Sequence, residues 1–599
     1  MLKNYLKIVW RKMRRQKVYT LINVSGLAIG MAAATFILLW VRDERSYDRF
    51  HNNADRIYRV VQFFHYGDYH LEQTQTPAAL APSLKDECPD VEIVTRVRGY
   101  RDEQIVKAEN RKFNERGLGI ADEYFFQLFS FPLLSGDPAA VLAKPYAVAI
   151  SERAAKKYFG SAEAVGRVLT IFDEDYTVTG VFKDMPNRSH FHLDVLCSFA
   201  SFKQYQQPAW GINVFKTYAL LREKGRPEAV EGQLVDIVKY HMFDSPKRYE
   251  TVIAKGDYTK FPLQRLTDIH LGSHLLWEFE TNGNGTYVKF FTIIAVFILL
   301  IAAINYINLS TARSAGRARE VGIRKTVGST RRSLIRQFLF ESVLTAFLAM
   351  IISLAALCVL MPAFRNLVGK AWLELPLLEN PLSLIPLVLL TGLIGVIAGL
   401  YPAFFLSSFE PASVLSGKLS RGLKRSGLRN GLVVVQFSLS VLLLVATMVV
   451  GKQMRFIQTQ NLGYSQDQVV VVRTYGELAQ KLPALKDALR RQPSVVSISA
   501  SSSAPGTGFT NIGMGLEGTD SSTGTNMYIV DADFLEVMKM EMAEGRFFDR
   551  KFPTDGQAVV LNQSMARKLN AGDLLGKRMR IWSGAKGVAL FPIIGIVKD

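Results

Sequence analysis

The sequence predicts a membrane protein, an α-helical transmembrane bundle with large α+β extracytoplasmic domains. Three observations predict it. Five stretches, 18–41, 290–312, 342–364, 380–409 and 430–451, contain no Asp, Glu, Lys or Arg, and each runs to 22 residues or more. The excess positive charge sits beside these stretches. The segment after the fifth stretch copies part of the segment after the first.

A helix needs roughly 20 apolar residues to cross a hydrocarbon core. Five such runs in one chain of 599 residues exclude the reading in which each is a buried helix of a soluble protein. The net charge of +19 invites a nucleic-acid partner until its location is read. Residues 1–19 hold seven basic side chains and no acid, 313–336 hold eight against Glu320, and 407–429 hold five against Glu410. These segments account for nearly the whole excess, and each flanks an apolar run. That is the positive-inside pattern of a membrane protein, not a nucleic-acid face.

The same pattern orders the chain. Residues 1–17 form a cytoplasmic N-terminal segment and 18–41 the first span. Residues 42–289 lie outside and 290–312 return. The loop 313–336 is cytoplasmic, and 342–364 and 382–406 make a hairpin whose outer loop balances Arg365 and Lys370 against Glu374 and Glu379. Residues 407–429 form a cytoplasmic linker, 430–451 exit, and 452–599 lie outside. The first span is longer than a signal-peptide core and ends in Leu38-Leu39-Trp40-Val41-Arg42, so it reads as an uncleaved anchor.

The outside segment 42–289 mixes a helical stretch at 153–158 with a strand-like run over 170–182, and so reads as α+β. Its copy is recognisable by order and spacing. Ala147-Val148-Ala149-Ile150-Ser151 answers Ala558-Val559-Val560-Leu561-Asn562, Gly166 answers Gly576, and Gly180-Val181-Phe182-Lys183-Asp184 answers Gly595-Ile596-Val597-Lys598-Asp599. Ser151 and Asn562 are expected to cap a short helix after a buried strand. The first copy continues well past Asp184, whereas the second stops at Asp599. The repeat therefore predicts a truncated second domain and a complete protein of roughly 800 residues with three more spans. Cys88 and Cys197 fall in the first outside segment, which leaves a disulfide open in an oxidising compartment.

The segment richest in information is 313–330. It reads as a short helix with Gly328 at its C-terminal turn and Ser329 as the cap of the next helix. Arg319-Glu320-Val321-Gly322-Ile323-Arg324-Lys325-Thr326-Val327-Gly328, followed by Gln337-Phe338-Leu339-Phe340-Glu341, resembles the FtsX-like permease family, which includes MacB and the lipoprotein-release permeases. The closing Gly399-Leu400-Tyr401-Pro402-Ala403 and Glu410-Pro411-Ala412, ending at Leu415, fit the same family. Residues 21–30 resemble the start of the MacB-like core domain. The resemblance implies an ABC-type permease of the inner (plasma) membrane of a bacterium, in a tandem-unit type without its own ATPase domain. It also implies that the loop around Arg317, Arg319, Glu320, Val321, Gly322, Ile323, Arg324, Lys325 and Gly328 rests on a separate cytoplasmic ATPase. On this reading Val321, Ile323 and Val327 supply apolar contact area. The alternative is that the cations only anchor the loop to anionic lipid.

No Gly-x-x-x-x-Gly-Lys-Ser/Thr occurs, so this chain holds no phosphate-cradling loop. The expectation is no cofactor on this chain, no catalytic residue and no metal, with ATP and Mg on the partner ATPase, in two copies. Membrane lipid and a periplasmic adaptor or outer-membrane protein are the other expected partners, and nucleic acid is not one. Gly26 and Gly30, and Gly395 and Gly399, have the four-residue spacing that lets helices pack closely. Pro386 suggests a bend near the outer end of its span. His190-Phe191-His192 would put two imidazoles on one face of a strand, with no further metal ligand nearby. Two main functions remain, beside a third reading as an ATPase-independent envelope scaffold. One is export of a drug, peptide, toxin or lipoprotein. The other is FtsX-like signalling that regulates envelope hydrolases or senses antimicrobial peptides. Two large outside domains favour export.

Overall fold

A computed structural model describes residues 11, 13–67, 69–207, 209–243, 245–312, 314–375, 380–408, 427–474, 476–506, 510–519, 523–570, 572–582 and 588–599. Of 314–319, 381, 428, 476–477, 510–511 and 582 it describes the backbone only. Most of the N-terminal segment 1–17 and of the linker 407–429, with Glu410-Pro411-Ala412 and Leu415, therefore lies outside the described residues. The chain divides into two compact units, Met1–Ser46 with Gly283–Thr459, and Tyr47–Asn282 with Gln460–Asp599.

The first unit is helical: α1 (Lys17–Glu44), α2 (Gly285–Ala312), α3 (Ser314–Thr326), α4 (Arg331–Val368), α5 (Leu384–Ser407) and α6 (Gly427–Thr459). All but α3 are long and apolar enough to cross a membrane. At 1.5 Å per residue α4 extends about 57 Å, well beyond the hydrocarbon thickness. Its first turns are residues 331–336, which charge alone assigns to the cytoplasmic loop. The side-chain cap of α4 is Thr330, which accepts from the Ser333 N–H at 3.4 Å, and not Ser329. Pro386 stands in the first turn of α5, where an N–H would have no helical partner, so it requires no bend.

Small residues set the helix spacing. A Cβ on Gly30 would lie 2.7 Å from the Ala302 Cβ of α2. One on Gly395 would lie 2.8 Å from the Val343 Cα of α4, and one on Gly399 2.7 Å from the Ser342 Cβ. Gly26 has ordinary room, with Asn305 Nδ2 3.5 Å away. Leu27 and Met31 of α1, Ala302 and Tyr306 of α2, Ala349 of α4 and Ala398 of α5 share one core. α6 packs along α2, where Asn308 Nδ2 donates to Gln436 Oε1 at 3.1 Å.

In the second unit the first outside domain is built on a mixed sheet. From one edge its strands run Leu263–Arg265, Ile57–Val60, Asn213–Leu221, Val91–Gly99, Leu118–Ala121, Val195–Ser198, Ala147–Ser151, Glu174–Phe182, Val168–Ile171, Gln104–Ala108 and Arg111–Glu115. The 170–182 run is two strands, not one. Phe172 and Asp173, both at positive φ (56° and 61°), turn it into a hairpin.

The duplication is visible in the register. Strand Ala147–Ser151 lies parallel to Glu174–Phe182, with a shift between the pairs Val148↔Val178 and Ala149↔Gly180. Strand Val559–Asn562 lies parallel to Val588–Val597 with the same shift, between Val559↔Ile593 and Val560↔Gly595. Ser151 Oγ accepts from the Ala154 N–H, and Asn562 Oδ1 from the Met565 N–H, both at 3.1 Å. Asp184 and Asp599 hold matching backbone amides, Arg153 N–H at 2.9 Å and Ser564 N–H at 2.8 Å. Cys88 and Cys197 are free thiols buried in separate cores, which rules against the disulfide left open above.

His51 lies in an aromatic cluster of Phe50, Phe129 and Phe131. Its Nδ1 accepts from the Ser130 N–H at 3.0 Å, and its Nε2 has no hydrogen-bond partner. Burial, partly offset by Asp48, lowers its pKa to about 4, with His190 adding to the lowering. The folded state therefore binds fewer protons than the unfolded chain between the ordinary histidine value and about 4. Stability is full above that window and falls as pH drops through it, by on the order of 3 kcal/mol for this residue. Thermal melts of the full chain in detergent at pH 7 and pH 5 are expected to show a smaller acid-induced drop for His51→Gln than for the native protein. An equal drop in both would contradict the assignment.

Candidate coupling site

α3 is fastened to the membrane helices along one side. Val321 is buried with Leu334 and Phe338 of α4 and with Ala403 and Leu406 of α5. Gly322 is buried beside it. Arg324 donates to Gln337 Oε1 of α4 at 3.1 Å and pairs with Glu320 one turn back at 2.5 Å. Lys325 Nζ donates to the Ser407 carbonyl at 2.8 Å, so an ammonium sits on the C-terminus of α5, where the helix dipole favours a cation. Gly328, at φ +98°, turns the chain out of α3 in a conformation that other residues adopt at a cost. Two polar connections, to Gln337 and to the Ser407 carbonyl, thus hold α3 against both helices of the α4–α5 hairpin.

Among the described side chains, those on the opposite side of α3 and at its end are open. Ile323 is 51% exposed and Val327 83% exposed. Their neighbour Val321 is packed inward, so it supplies no contact area to a partner, contrary to the sequence expectation. Glu320 is half-exposed. The side chains of Arg317 and Arg319 lie outside the described residues. Sequence reasoning missed Gln337 as the seat for Arg324 and the Ser407 carbonyl as the seat for Lys325. Gln337 stood in the family motif, but nothing in the motif assigned its partner.

A second constellation, in the other unit, lies where the outside domain continues into the membrane helices. Asp48 follows α1 by four residues, and Glu278 precedes α2 by seven. Asp48 Oδ1 meets His190 Nδ1 at 2.9 Å, and His190 Nε2 meets the Tyr218 hydroxyl at 2.8 Å. Tyr218 stands beside Arg59, whose guanidinium is bidentate on Glu278 at 2.6 and 2.8 Å and also reaches Gln264 at 2.7 Å. Both connectors are therefore locked into one buried polar network. His190 and His192 are not strand residues and do not converge. His192 turns to Glu280 at 2.8 Å and to the Pro186 carbonyl. Among the described residues no group of His, Cys, Asp and Glu could hold a metal.

The MacB-like periplasmic core domain model matches residues 20–237 and 432–599, more than half of the chain, and the FtsX-like permease C-terminal model matches 292–411. A probable export ATP-binding/permease protein of Pseudomonas fluorescens (strain Pf0-1) is 22% identical over 434 residues, 69% of this chain and 60% of that protein. The macrolide export ATP-binding/permease protein MacB of Pasteurella multocida (strain Pm70) is 22% identical over 423 residues, covering 67% and 58%. The chain thus spans about 60% of the length of such relatives. Among solved structures, a domain of a permease protein from Porphyromonas gingivalis is 23% identical over 36% of this chain and 91% of that one, with a TM-score of 0.31. The periplasmic region of MacB from Actinobacillus actinomycetemcomitans is 15% identical over 31% and 84%, with a TM-score of 0.25. With five membrane-length helices, two copies of a core-domain block and no phosphate loop in its 599 residues, this chain belongs to the MacB-like and FtsX-like family of ABC-type permeases.

Proposed function

We propose that this permease couples ATP hydrolysis on a separate cytoplasmic ATPase to movements of its outside domains, and that the coupled work is export of a substrate across the cell envelope. The observation that carries the reading is the two-sidedness of α3. A helix fixed to α4 and α5 by Val321, Arg324 and Lys325 transmits displacement to those spans, while exposed Ile323 and Val327 offer contact area to a soluble partner. ATP and magnesium belong to that partner, in two copies for a tandem permease. On this reading the N-terminus and α3 lie on the cytoplasmic side, which the flanking charge supports. Export is favoured over signalling because the relatives named above are export proteins and because the outside block is duplicated.

The test is affinity purification of the full-length protein from its native membrane in mild detergent. Ile323→Glu with Val327→Glu changes only the open side of α3. An ATPase is expected to co-purify with the native protein and to fall about tenfold with the double variant, the cost of roughly 1.4 kcal/mol at the interface. An ATPase retained in full by the variant would move docking away from α3. Absence of any ATPase from both would end the coupling reading.

A further inference from the structure

The first outside domain contains a cleft of about 1380 Å³ between the sheet and the segment 273–282. Its six lysines and arginines equal its six carboxylates in number, but they are not paired one to one. Each carboxylate lining it already has a basic partner: Glu103 has Arg116, Glu115 has Lys157, Asp194 has Arg153, Glu278 has Arg59, Glu280 has the His192 imidazole, and Asp102 has Arg473 at 3.9 Å. Three lining cations have no carboxylate partner among the described residues. Arg98 lies over Tyr100 and donates to the Tyr205 hydroxyl. Arg101 lies 4.8 Å from the Trp277 ring centroid and reaches only the Glu278 carbonyl, at 3.4 Å.

Lys216 is the most constrained of the three. It projects from the interior strand Asn213–Leu221 and is 5% exposed, and its Nζ sits 3.8 Å from the Phe279 ring centroid with no hydrogen-bond acceptor among the described residues. Burial, then Arg59, lowers its pKa to about 7, with Arg101 adding to the lowering and Glu278 opposing it. A buried ammonium is costly unless an anion meets it. Here the nearby Glu278 is taken by Arg59, no carboxylate among the described residues pairs directly with Lys216, and the space beside the nitrogen is an aromatic-walled cleft.

We propose that this cleft is a binding site for an aromatic carboxylate, whose anionic group pairs with Lys216 under the field of Arg98 and Arg101 and whose ring lies against Phe279 and Trp277. Cation–π partners hold the three cations in place, and the ligand carboxylate completes their coordination. The inference needs only the outside domain and stands whether or not α3 docks an ATPase.

N-acetyltryptophan is the probe, and N-acetyltryptophanamide, the same ring without the carboxylate, is its control. The readout is the rate of reductive methylation at each lysine of the full chain in lipid nanodiscs at pH 7.5, followed by peptide mass spectrometry. At a concentration about ten times its dissociation constant, the acid is expected to slow labelling of Lys216 about tenfold and to leave exposed lysines unchanged. The amide is expected to protect less than twofold. Saturation-transfer NMR on the same particles should show acid binding retained by Lys216→Arg and lost in Lys216→Met, a variant that removes a buried charge and so is expected to fold. Equal protection by acid and amide, protection by neither, or native binding by Lys216→Met would each overturn the proposal.

Discussion

Glu278→Ala is expected to destabilise the first outside domain by about 3–5 kcal/mol, because it strands a fully buried guanidinium. The Arg59 side chain is 0% exposed, and Glu278 is its ionic partner at 2.6 Å. Burial pushes the Glu278 carboxyl up, but the Arg59 hydrogen bonds and charge outweigh it and leave the pKa below the ordinary range. The pair therefore contributes stability above the ordinary glutamate value and loses it as pH falls below. For a domain of this size the loss corresponds to a drop of about 10 °C in melting temperature. The double change Arg59→Met with Glu278→Leu removes both charges and is expected to cost much less than the single one. Differential scanning calorimetry of the three proteins in detergent decides it. A single variant that melts within a degree or two of the native protein would mean that water reaches Arg59 and that the connector lock is weak. Since Glu278 and Asp48 are members of one network, limited proteolysis should also find both connectors more exposed in Glu278→Ala.

Lys370→Met is expected to be comparably damaging in the helical unit. Lys370 Nζ lies 2.6 Å from Asp43 Oδ2 and 2.7 Å from Glu44 Oε1, and the two carboxylate side chains are 1% and 7% exposed. Without the ammonium, two adjacent carboxylates are left buried beside each other, at a cost of about 3–5 kcal/mol. The physical consequence is local. The last turn of α1 loses its tie to the loop after α4, where Gly369 at φ +67° sets the turn. Lys370→Arg keeps the charge and is expected to retain most of the stability. The triple change Lys370→Met, Asp43→Asn, Glu44→Gln removes every charge and should recover part of the loss. Melting of the full chain in detergent, with Trp372 in the loop after α4 as fluorescence reporter, would show it. Native-like melting of Lys370→Met would sink the claim that this triad holds α1.

Much of this was legible in the order of residues. Apolar runs without charge indicate membrane-length helices because the hydrocarbon core tolerates no unpaired polar backbone. The duplicated block is legible because Ser151 and Asn562, Gly166 and Gly576, and Asp184 and Asp599 do the same local work in both copies. Each contact spans one helix turn or one strand pair, so spacing in the sequence carries it. The errors share a cause. Ser329 and Thr330 can both cap a helix, and only the helix start selects Thr330. The 170–182 run alternates like one strand, and a two-residue turn at positive φ divides it. His190 and His192 suggest a pair, but they sit in a loop that sends them to Asp48 and Glu280.

By itself the sequence determined the spans and the charge at their ends, the internal repeat, the family motif on α3 and the absence of a phosphate loop, because periodicity, charge and spacing are local properties. The tertiary structure alone decided which face of α3 is open, that Val321 packs inward while Ile323 and Val327 do not, and which buried charges are paired. Lys370 meets Asp43 across 327 positions of sequence and Arg59 meets Glu278 across 219. No periodicity reaches that far. It is the closure of the chain on itself that brings these groups out of water together, pairs them, and leaves Lys216 without a carboxylate of its own among the described residues.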